Sequence, residues 1–85
     1  MRLVSISGVV SKEPIILVEQ SPNDMQEVYF KILSDGIEFT IYCYGELSIN
    51  CLKNISLNDF CNIKGEPLSY NNFEINAEII TKEEN

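Results

Sequence analysis

The 85-residue sequence has no histidine and only three cysteines, and these scarcities argue against most catalytic and metal chemistry. Histidine is the side chain that most often acts as a general base, and it is also a common zinc ligand. The cysteines, Cys43, Cys51 and Cys61, are odd in number, and their spacings match neither a disulfide framework nor a zinc motif. No nucleophile-elbow pattern or phosphate-binding glycine loop occurs either, so we expect no enzymatic activity, no metal and no cofactor. We interpret Cys43 and Cys61 as small buried hydrophobic residues and leave the position of Cys51 open.

The sequence also lacks long apolar runs. It contains no stretch of about 18 apolar residues, the length that a transmembrane helix requires. The N-terminus, from Met1 to Val4, passes directly into a strand-like pattern without the apolar stretch or cleavage site of a signal peptide. We therefore expect a cytoplasmic protein with no membrane partner.

Basic residues are scarce as well. Six lysines and arginines are outnumbered by 13 aspartates and glutamates, which gives a net charge of −7. Nucleic-acid binding draws much of its affinity from basic groups that displace counterions, so this charge argues against a generic nucleic-acid binder without excluding a local basic site. The length predicts one domain, over residues 1–81, followed by an acidic tail over residues 82–85.

What the sequence does contain is an alternation of apolar and polar residues with a period of two, which predicts strands. In a first strand over about residues 2–10, the residues Val4, Ile6, Gly8 and Val10 share one side. Lys12-Glu13-Pro14 interrupts this strand, and Ile15–Val18 resumes as an extended segment. This pattern suits a strand that bends and continues, since Gly8 has no side chain and can sit at a tight corner. The composition of Ser21–Asp24 predicts a surface loop.

The dipeptide Asp35-Gly36 predicts a two-residue hairpin turn, because both of its central positions need positive φ angles. Such a turn fixes the register of the two strands that it joins. One face of the hairpin then carries the apolar pairs Ile32–Phe39, Phe30–Ile41 and Val28–Cys43. The opposite face carries the pairs Leu33–Glu38, Lys31–Thr40 and Tyr29–Tyr42.

The remaining pattern predicts one or two helical turns and two further strands. Glu46 to about Lys53 can form the helical segment, with Leu47 and Cys51 on the same side. A fourth strand is expected near residues 60–65, with Cys61 and Ile63 inward. A fifth is expected near residues 73–81, where the alternating apolar residues are Phe73, Ile75, Ala77 and Ile79. Pro67 and Tyr70–Asn72 mark the turn between these strands. The predicted architecture is all-β, a five-stranded oligonucleotide/oligosaccharide-binding (OB) barrel with a short helix between strands 3 and 4.

Several segments resemble the bacterial single-stranded DNA-binding proteins and the related primosomal replication protein N. These segments are Ser5–Val10 with Pro14, Ile41–Leu47, Asn58–Gly65 and Phe73–Ile79. The resemblance covers almost the whole chain and consists of fold-determining residues, and it implies an OB fold, binding of single-stranded DNA, and assembly into a homo-oligomer. The sequence departs from the family in three respects. Asn58-Asp59 replaces a usual glycine, most of the loop arginines and lysines that line DNA are missing, and there is no long C-terminal tail.

The outer face of strands 2 and 3 is the usual binding surface of an OB barrel. The hairpin register places on it Tyr29, Lys31, Thr40, Tyr42 and Tyr44. Tyrosines on such a face can stack on unpaired bases, which contributes about 1–3 kcal/mol per base. Further candidates for the same interface are the aromatic Phe60 and three lysines, Lys12, Lys53 and Lys64.

Two hypotheses for the function remain open at this point. The first is binding of single-stranded DNA or RNA, in DNA replication or in a mobile genetic element. The second is an acidic protein-interaction module, or a mimic of DNA charge, that docks a replication, conjugation or phage protein. Glu27 and Glu38 favour the second hypothesis because they share the tyrosines' face and would repel phosphate. A cross-strand pair such as Tyr29–Tyr42 can also serve packing alone.

Overall fold

In the computed structural model, which describes residues 2–18, 26–68 and 71–83, five strands close into a barrel around one hydrophobic core. The elements in chain order are β1 (Val4–Val18), β2 (Glu27–Ser34), β3 (Ile37–Tyr44), α1 (Gly45–Asn54), β4 (Phe60–Leu68) and β5 (Asn71–Lys82). Around the barrel the strands follow the order β1-β2-β3-β5-β4, with β3 and β5 parallel. The predicted OB architecture is therefore confirmed. The predicted loop at Ser21–Asp24 and the turn residue Tyr70 lie outside the described residues.

The β2–β3 hairpin has the register that the Asp35-Gly36 turn predicts. Both turn residues have positive φ angles, 52° for Asp35 and 80° for Gly36. All six predicted cross-strand pairs are present. Val28, Phe30 and Ile32 on β2 are fully buried. The hairpin thus contributes one face to the core and leaves the other face to solvent.

The first strand continues through Lys12-Glu13-Pro14, as the pattern of a strand that bends and continues predicts, and β1 is one strand over Val4–Val18. Lys12 pairs with Lys31 and Ile15 pairs with Tyr29, so Glu13 and Pro14 together oppose a single residue of β2. This arrangement is a β-bulge, a position that tolerates proline because no ladder hydrogen bond requires its missing N–H. The strand therefore bends at Pro14 without ending.

Gly8 lies where β1 passes from one neighbouring strand to another, as the predicted corner requires. The next residue, Val9, is paired with both Phe60 of β4 and Leu33 of β2. A Cβ atom on Gly8 would lie 2.5 Å from the carbonyl oxygen of Leu33, so the strands approach too closely there for a side chain. The lack of a side chain at Gly8 permits this close contact.

The helix and the connection after it match the sequence pattern. Leu47 packs against the core, and Cys51 is buried, which answers the open question about its position. After α1, Asn58 has a φ of 73°, a left-handed conformation that asparagine adopts more readily than most residues. The backbone N–H of Asn58 donates to the carbonyl oxygen of Val10, and the N–H of Val10 donates to that of Asp59. Asn58 thus serves the backbone role that a glycine would serve before β4.

The last two strands differ from the prediction in length and in the direction of some side chains. The sequence placed Pro67 in a turn, but it lies in β4. It follows Gly65, which is the last β4 residue that pairs with β1 among the described residues. In β5, Glu78 is an extra residue between the paired positions Ala77 and Ile79, so the facing of the side chains reverses there. The prediction that Ile79 continues the buried face is wrong, because Ile79 is 55% exposed and Ile80 packs against the core instead.

Phe73 also departs from the predicted buried face, since 52% of its surface is exposed. Its ring centroid lies 5.8 Å from that of Phe39, at the start of the β5 segment that pairs with β3. At the other end of β5, the backbone N–H of Glu83 donates to the carbonyl oxygen of Phe60. Residues 84–85 of the predicted tail lie outside the described residues. The boundary between the domain and the tail, after residue 81, stays a prediction.

The core is formed mainly by β-branched residues, together with Phe30 and all three cysteines. The buried apolar residues are Val10, Val28, Phe30, Ile32, Ile41, Cys43, Cys51, Ile55, Cys61, Ile63, Ile75 and Ala77. Every strand contributes to this core, and α1 covers one end of it with Cys51. The outer faces of β1, β2 and β3 are thereby left as the surface on which the predicted binding residues lie.

Candidate nucleic-acid interface

The outer face of the barrel carries two adjacent rows of side chains, each of which crosses four strands. In the first row the paired residues are Lys12, Lys31, Thr40 and Glu74. In the second row they are Ile15, Tyr29, Tyr42 and Asn76. Tyr44 follows Tyr42 on the same side of β3, where side chains repeat every two residues. We call the surface formed by Lys12, Ile15, Tyr29, Lys31, Thr40, Tyr42 and Tyr44 the tyrosine face.

The three tyrosines are held by contacts within the barrel. The ring centroids of Tyr29 and Tyr42 are 6.4 Å apart, and the rings are tilted by 42°. The hydroxyl of Tyr42 donates to Oε1 of Glu74 at 2.6 Å, and that of Tyr44 donates to Oδ1 of Asn76 at 3.4 Å. These bonds connect β3 side chains to β5. Tyr44 remains 38% exposed, so part of its surface is available to a ligand.

The charge on and around the tyrosine face is mixed. Lys12 and Lys31 are directly opposite one another in the β1–β2 ladder. The Nζ atom of Lys31 lies 3.8 Å from Oε1 of Glu38, whose other carboxylate oxygen accepts a hydrogen bond of 3.1 Å from Ser11 Oγ. Since both side chains of this ion pair are partly exposed, water and salt weaken it and Lys31 can exchange its partner.

Phe60, Lys53 and Lys64 lie on other elements, outside the two rows. Phe60 is 40% exposed and pairs with Val9, which pairs in turn with Leu33, so it belongs to an apolar strip beside the tyrosine face. Lys64 is an exposed residue of β4 opposite Ser5 of β1. Lys53 is in the last turn of α1. The structure thus brings Lys12 and Lys31 to the tyrosines through the strand ladders and leaves Lys53 and Lys64 elsewhere.

Sequence reasoning missed three residues that share or border the tyrosine face: Ile15, Glu74 and Asn76. Ile15 is 42% exposed and lies beside Tyr29 because of the bulge at Glu13-Pro14, which residue counting does not reveal. Glu74 and Asn76 adjoin Tyr42 through the parallel β3–β5 ladder. The alternation of β5 already predicted that these two polar side chains lie on the face of the strand away from Ile75. The strand order of an OB barrel would have brought β5 beside β3.

The described residues contain no group of three or more metal-ligating side chains that could hold a metal ion. Among the same residues, no helix has both the length and the apolar character needed to cross a lipid bilayer.

Barrel closure, strand order and the position of α1 define this chain as an OB-fold domain. Solved structures with the same fold are single-stranded DNA-binding domains. One is the SSB domain of a Synechococcus protein, with a TM-score of 0.78 and 15% identity, covering 94% of this chain and 93% of that one. The small single-stranded DNA-binding protein of Streptomyces coelicolor has a TM-score of 0.75 and 19% identity, covering 96% and 92%.

A mitochondrial member of this group is similar over an even larger share of the chain. The single-stranded DNA-binding protein Rim1 of S. cerevisiae has a TM-score of 0.77 and 18% identity, and the match covers 99% of this chain and 96% of Rim1. No family model and no curated protein matches the sequence itself. At these identities the comparisons establish the SSB-like OB fold, and the function has to be inferred from the interface.

Proposed function

We propose that this protein binds single-stranded nucleic acid, DNA in the first place, through the tyrosine face and without catalysis. The observation that carries the proposal is the placement of Tyr29, Tyr42 and Tyr44 together on the outer face of β2 and β3. That face is the usual ligand surface of OB folds. The similar solved structures are single-stranded DNA-binding domains, which supports DNA as the ligand.

In the proposed complex, unpaired bases stack on the aromatic rings and phosphates approach Lys12 and Lys31. Stacking is tolerant of sequence, because every base has a π face, so we expect little sequence preference. The hydrogen bond from Tyr42 to Glu74 holds the Tyr42 side chain before the ligand arrives. Less side-chain freedom is then lost on binding. Lys31 has to leave Glu38 before it contacts phosphate. Its net contribution to the binding free energy is therefore small.

The first experiment measures binding of a fluorescent oligo-dT to the Tyr44→Leu variant by fluorescence anisotropy. Tyr44 is partly exposed, so leucine can replace it with little effect on the core. If one base stacks on this ring, the loss of about 1–3 kcal/mol corresponds to a roughly 5- to 150-fold weaker affinity. Circular dichroism checks that the variant is folded.

A pair of substitutions at Tyr42 separates the ring from its hydroxyl. Tyr42→Phe removes the bond to Glu74 but keeps the aromatic surface, and we expect it to bind oligo-dT with close to the original affinity. Tyr42→Ala removes both and should bind much more weakly. Leu57→Ala, at an exposed position between α1 and β4, is the matched control away from the interface. Unchanged affinity in folded Tyr42→Ala and Tyr44→Leu variants would refute the proposal.

A second candidate function, docking of a protein partner, is favoured by one observation. Glu27, Glu38 and Glu74 lie on or beside the tyrosine face, where Lys12 and Lys31 are the basic residues, and the whole chain carries a net charge of −7. An acidic aromatic surface of this kind suits a basic protein surface. This candidate predicts no saturable binding of oligo-dT and capture of one specific partner that Tyr44→Leu abolishes.

A further inference from the structure

The side chains of Cys43 and Cys51 meet in the interior of the barrel, although the chain shows no disulfide among its described residues. Cys43 is on β3 between Tyr42 and Tyr44, and Cys51 is on α1. Their sulfur atoms are hydrogen bonded at 3.3 Å. Both side chains are buried, at 0% and 1% exposure. Since a disulfide has an S–S length of about 2.05 Å, the sulfurs need to approach by only a little more than about 1 Å to form the bond.

We infer that Cys43 and Cys51 form a site of reversible oxidation, at which a low-molecular-weight disulfide such as glutathione disulfide converts the two thiols into an intramolecular disulfide. This site is independent of the proposed nucleic-acid binding. The third cysteine, Cys61, is separate from the pair on β4 and is not part of the site.

An open groove on the surface lies next to Cys51. Cys51 lies in the lining of an open groove between α1 and the end of β5, together with Leu47, Asn50, Asn54, Ile80 and Lys82. Cys43 does not line this groove. Cys51 is therefore the cysteine of the pair that lies nearer to the groove, and because only 1% of it is exposed, a small disulfide reaches its sulfur when α1 opens locally.

The pKa values of the thiols also favour reaction of Cys51 before Cys43. The hydrogen bond with Cys43 lowers the pKa of Cys51, although burial opposes that change. The contact with Cys51, together with burial, raises the pKa of Cys43. Burial raises the pKa of Cys61 to about 11, and the negative charge of Asp59 adds to the effect, so Cys61 stays a thiol at neutral pH. The thiolate is the reactive form, and because Cys51 lines the groove and Cys43 does not, Cys51 is the attacking group.

The reaction balances in two exchange steps. The Cys51 thiolate attacks one sulfur of glutathione disulfide, forms a mixed disulfide and expels one glutathione thiolate. The sulfur of Cys43, after losing its proton, then attacks the Cys51 sulfur, forms the Cys43–Cys51 bond and expels the second glutathione thiolate. The two protons released by the cysteines go to the two glutathione thiolates. Two protein thiols are oxidised, and one glutathione disulfide is reduced to two molecules of glutathione.

The test equilibrates the folded protein with mixtures of oxidised and reduced glutathione, unfolds it in denaturant so that iodoacetamide can block every remaining thiol, and analyses the product by mass spectrometry. The oxidised chain should lose the mass of two hydrogen atoms and keep one alkylatable cysteine, Cys61. Cleavage after glutamates and lysines, which include Glu46 and Lys53, should place Cys51 alone in residues 47–53, and this peptide should stay linked to the one with Cys43 until a reductant is added. The Cys61→Ala variant should behave in the same way, and Cys43→Ala should stop at a glutathione adduct on Cys51.

The same equilibrium is then measured in urea, where the fold no longer holds the sulfurs together. The effective concentration of one thiol relative to the other, which measures how readily the two form a disulfide, should be at least about tenfold higher in the folded protein than in urea. By linkage, the oxidised form should also melt at a higher temperature. An equal effective concentration in both states, three alkylatable thiols after oxidation, or a disulfide that includes Cys61 would each overturn the inference.

Discussion

Glu38 controls how much positive charge the tyrosine face can offer to a ligand. Its carboxylate accepts a hydrogen bond from Ser11 and lies 3.8 Å from the ammonium group of Lys31. Lys31 is paired across the ladder with Lys12, so the two lysines form the basic part of this surface. Any phosphate that contacts Lys31 competes with Glu38 and is also repelled by it.

Neutralising Glu38 is therefore expected to strengthen nucleic-acid binding. Glu38→Gln keeps the size of the side chain, releases Lys31 and removes one repulsion, which should raise the affinity for oligo-dT about two- to fivefold. Glu83→Gln, at an exposed position just after β5 and outside the tyrosine face, changes the net charge equally and is the matched control. Equal gains for both variants would show that net charge matters and that the Lys31–Glu38 pair does not.

At the scale of elements, bulges in β1 and β5 change which way the side chains beyond them face. The extra residue Glu78 reverses the alternation of β5, so Ile80 faces Ile63 in the barrel and Ile79 faces outward. The bulge at Glu13-Pro14 lets β1 bend and places Ile15 beside Tyr29. The bulge in β5 falls in a plain alternating pattern that no glycine interrupts, whereas the bulge in β1 falls where Lys12-Glu13-Pro14 already breaks the alternation.

Substitutions at the two isoleucines of β5 test the position of its bulge. Ile80→Ala removes methylene and methyl groups that pack against the core and should reduce the free energy of unfolding by about 1–3 kcal/mol. Ile79→Ala changes an exposed side chain and should stay within about 0.5 kcal/mol of the original stability. Urea denaturation of both variants measures the difference. A larger loss for Ile79→Ala would mean that β5 continues without the bulge.

The contrast between the hairpin and the bulged strands shows how far the sequence determines the fold. The Asp35-Gly36 turn and the alternation on both sides of it are local, so they predict the register of β2 and β3 and hence the tyrosine face. The bulges depend on pairing with distant strands, and an alternating pattern alone cannot locate them. The contacts of Glu74 with Tyr42 and of Cys51 with Cys43 also bring distant or differently structured segments together, so spacing along the chain did not predict them.

At the scale of the whole molecule, the acidity of this OB-fold chain leaves base stacking as the main source of affinity in the proposed nucleic-acid complex. The net charge of −7 repels the ligand at long range, and this repulsion falls as salt screens it. Lys12 and Lys31 are the basic residues on the tyrosine face. The account therefore predicts an interaction with few phosphate contacts and a weak dependence on salt.

The measurement that tests this most directly is a titration of labelled oligo-dT with the unmodified protein, followed by fluorescence anisotropy at several salt concentrations. Saturable binding is expected. With two or three phosphate contacts on a single strand, the logarithm of the binding constant should fall with the logarithm of salt concentration with a slope of roughly −1.5 to −2. No saturable binding at low salt by a protein shown to be folded would contradict nucleic-acid binding and leave protein docking as the function of the tyrosine face.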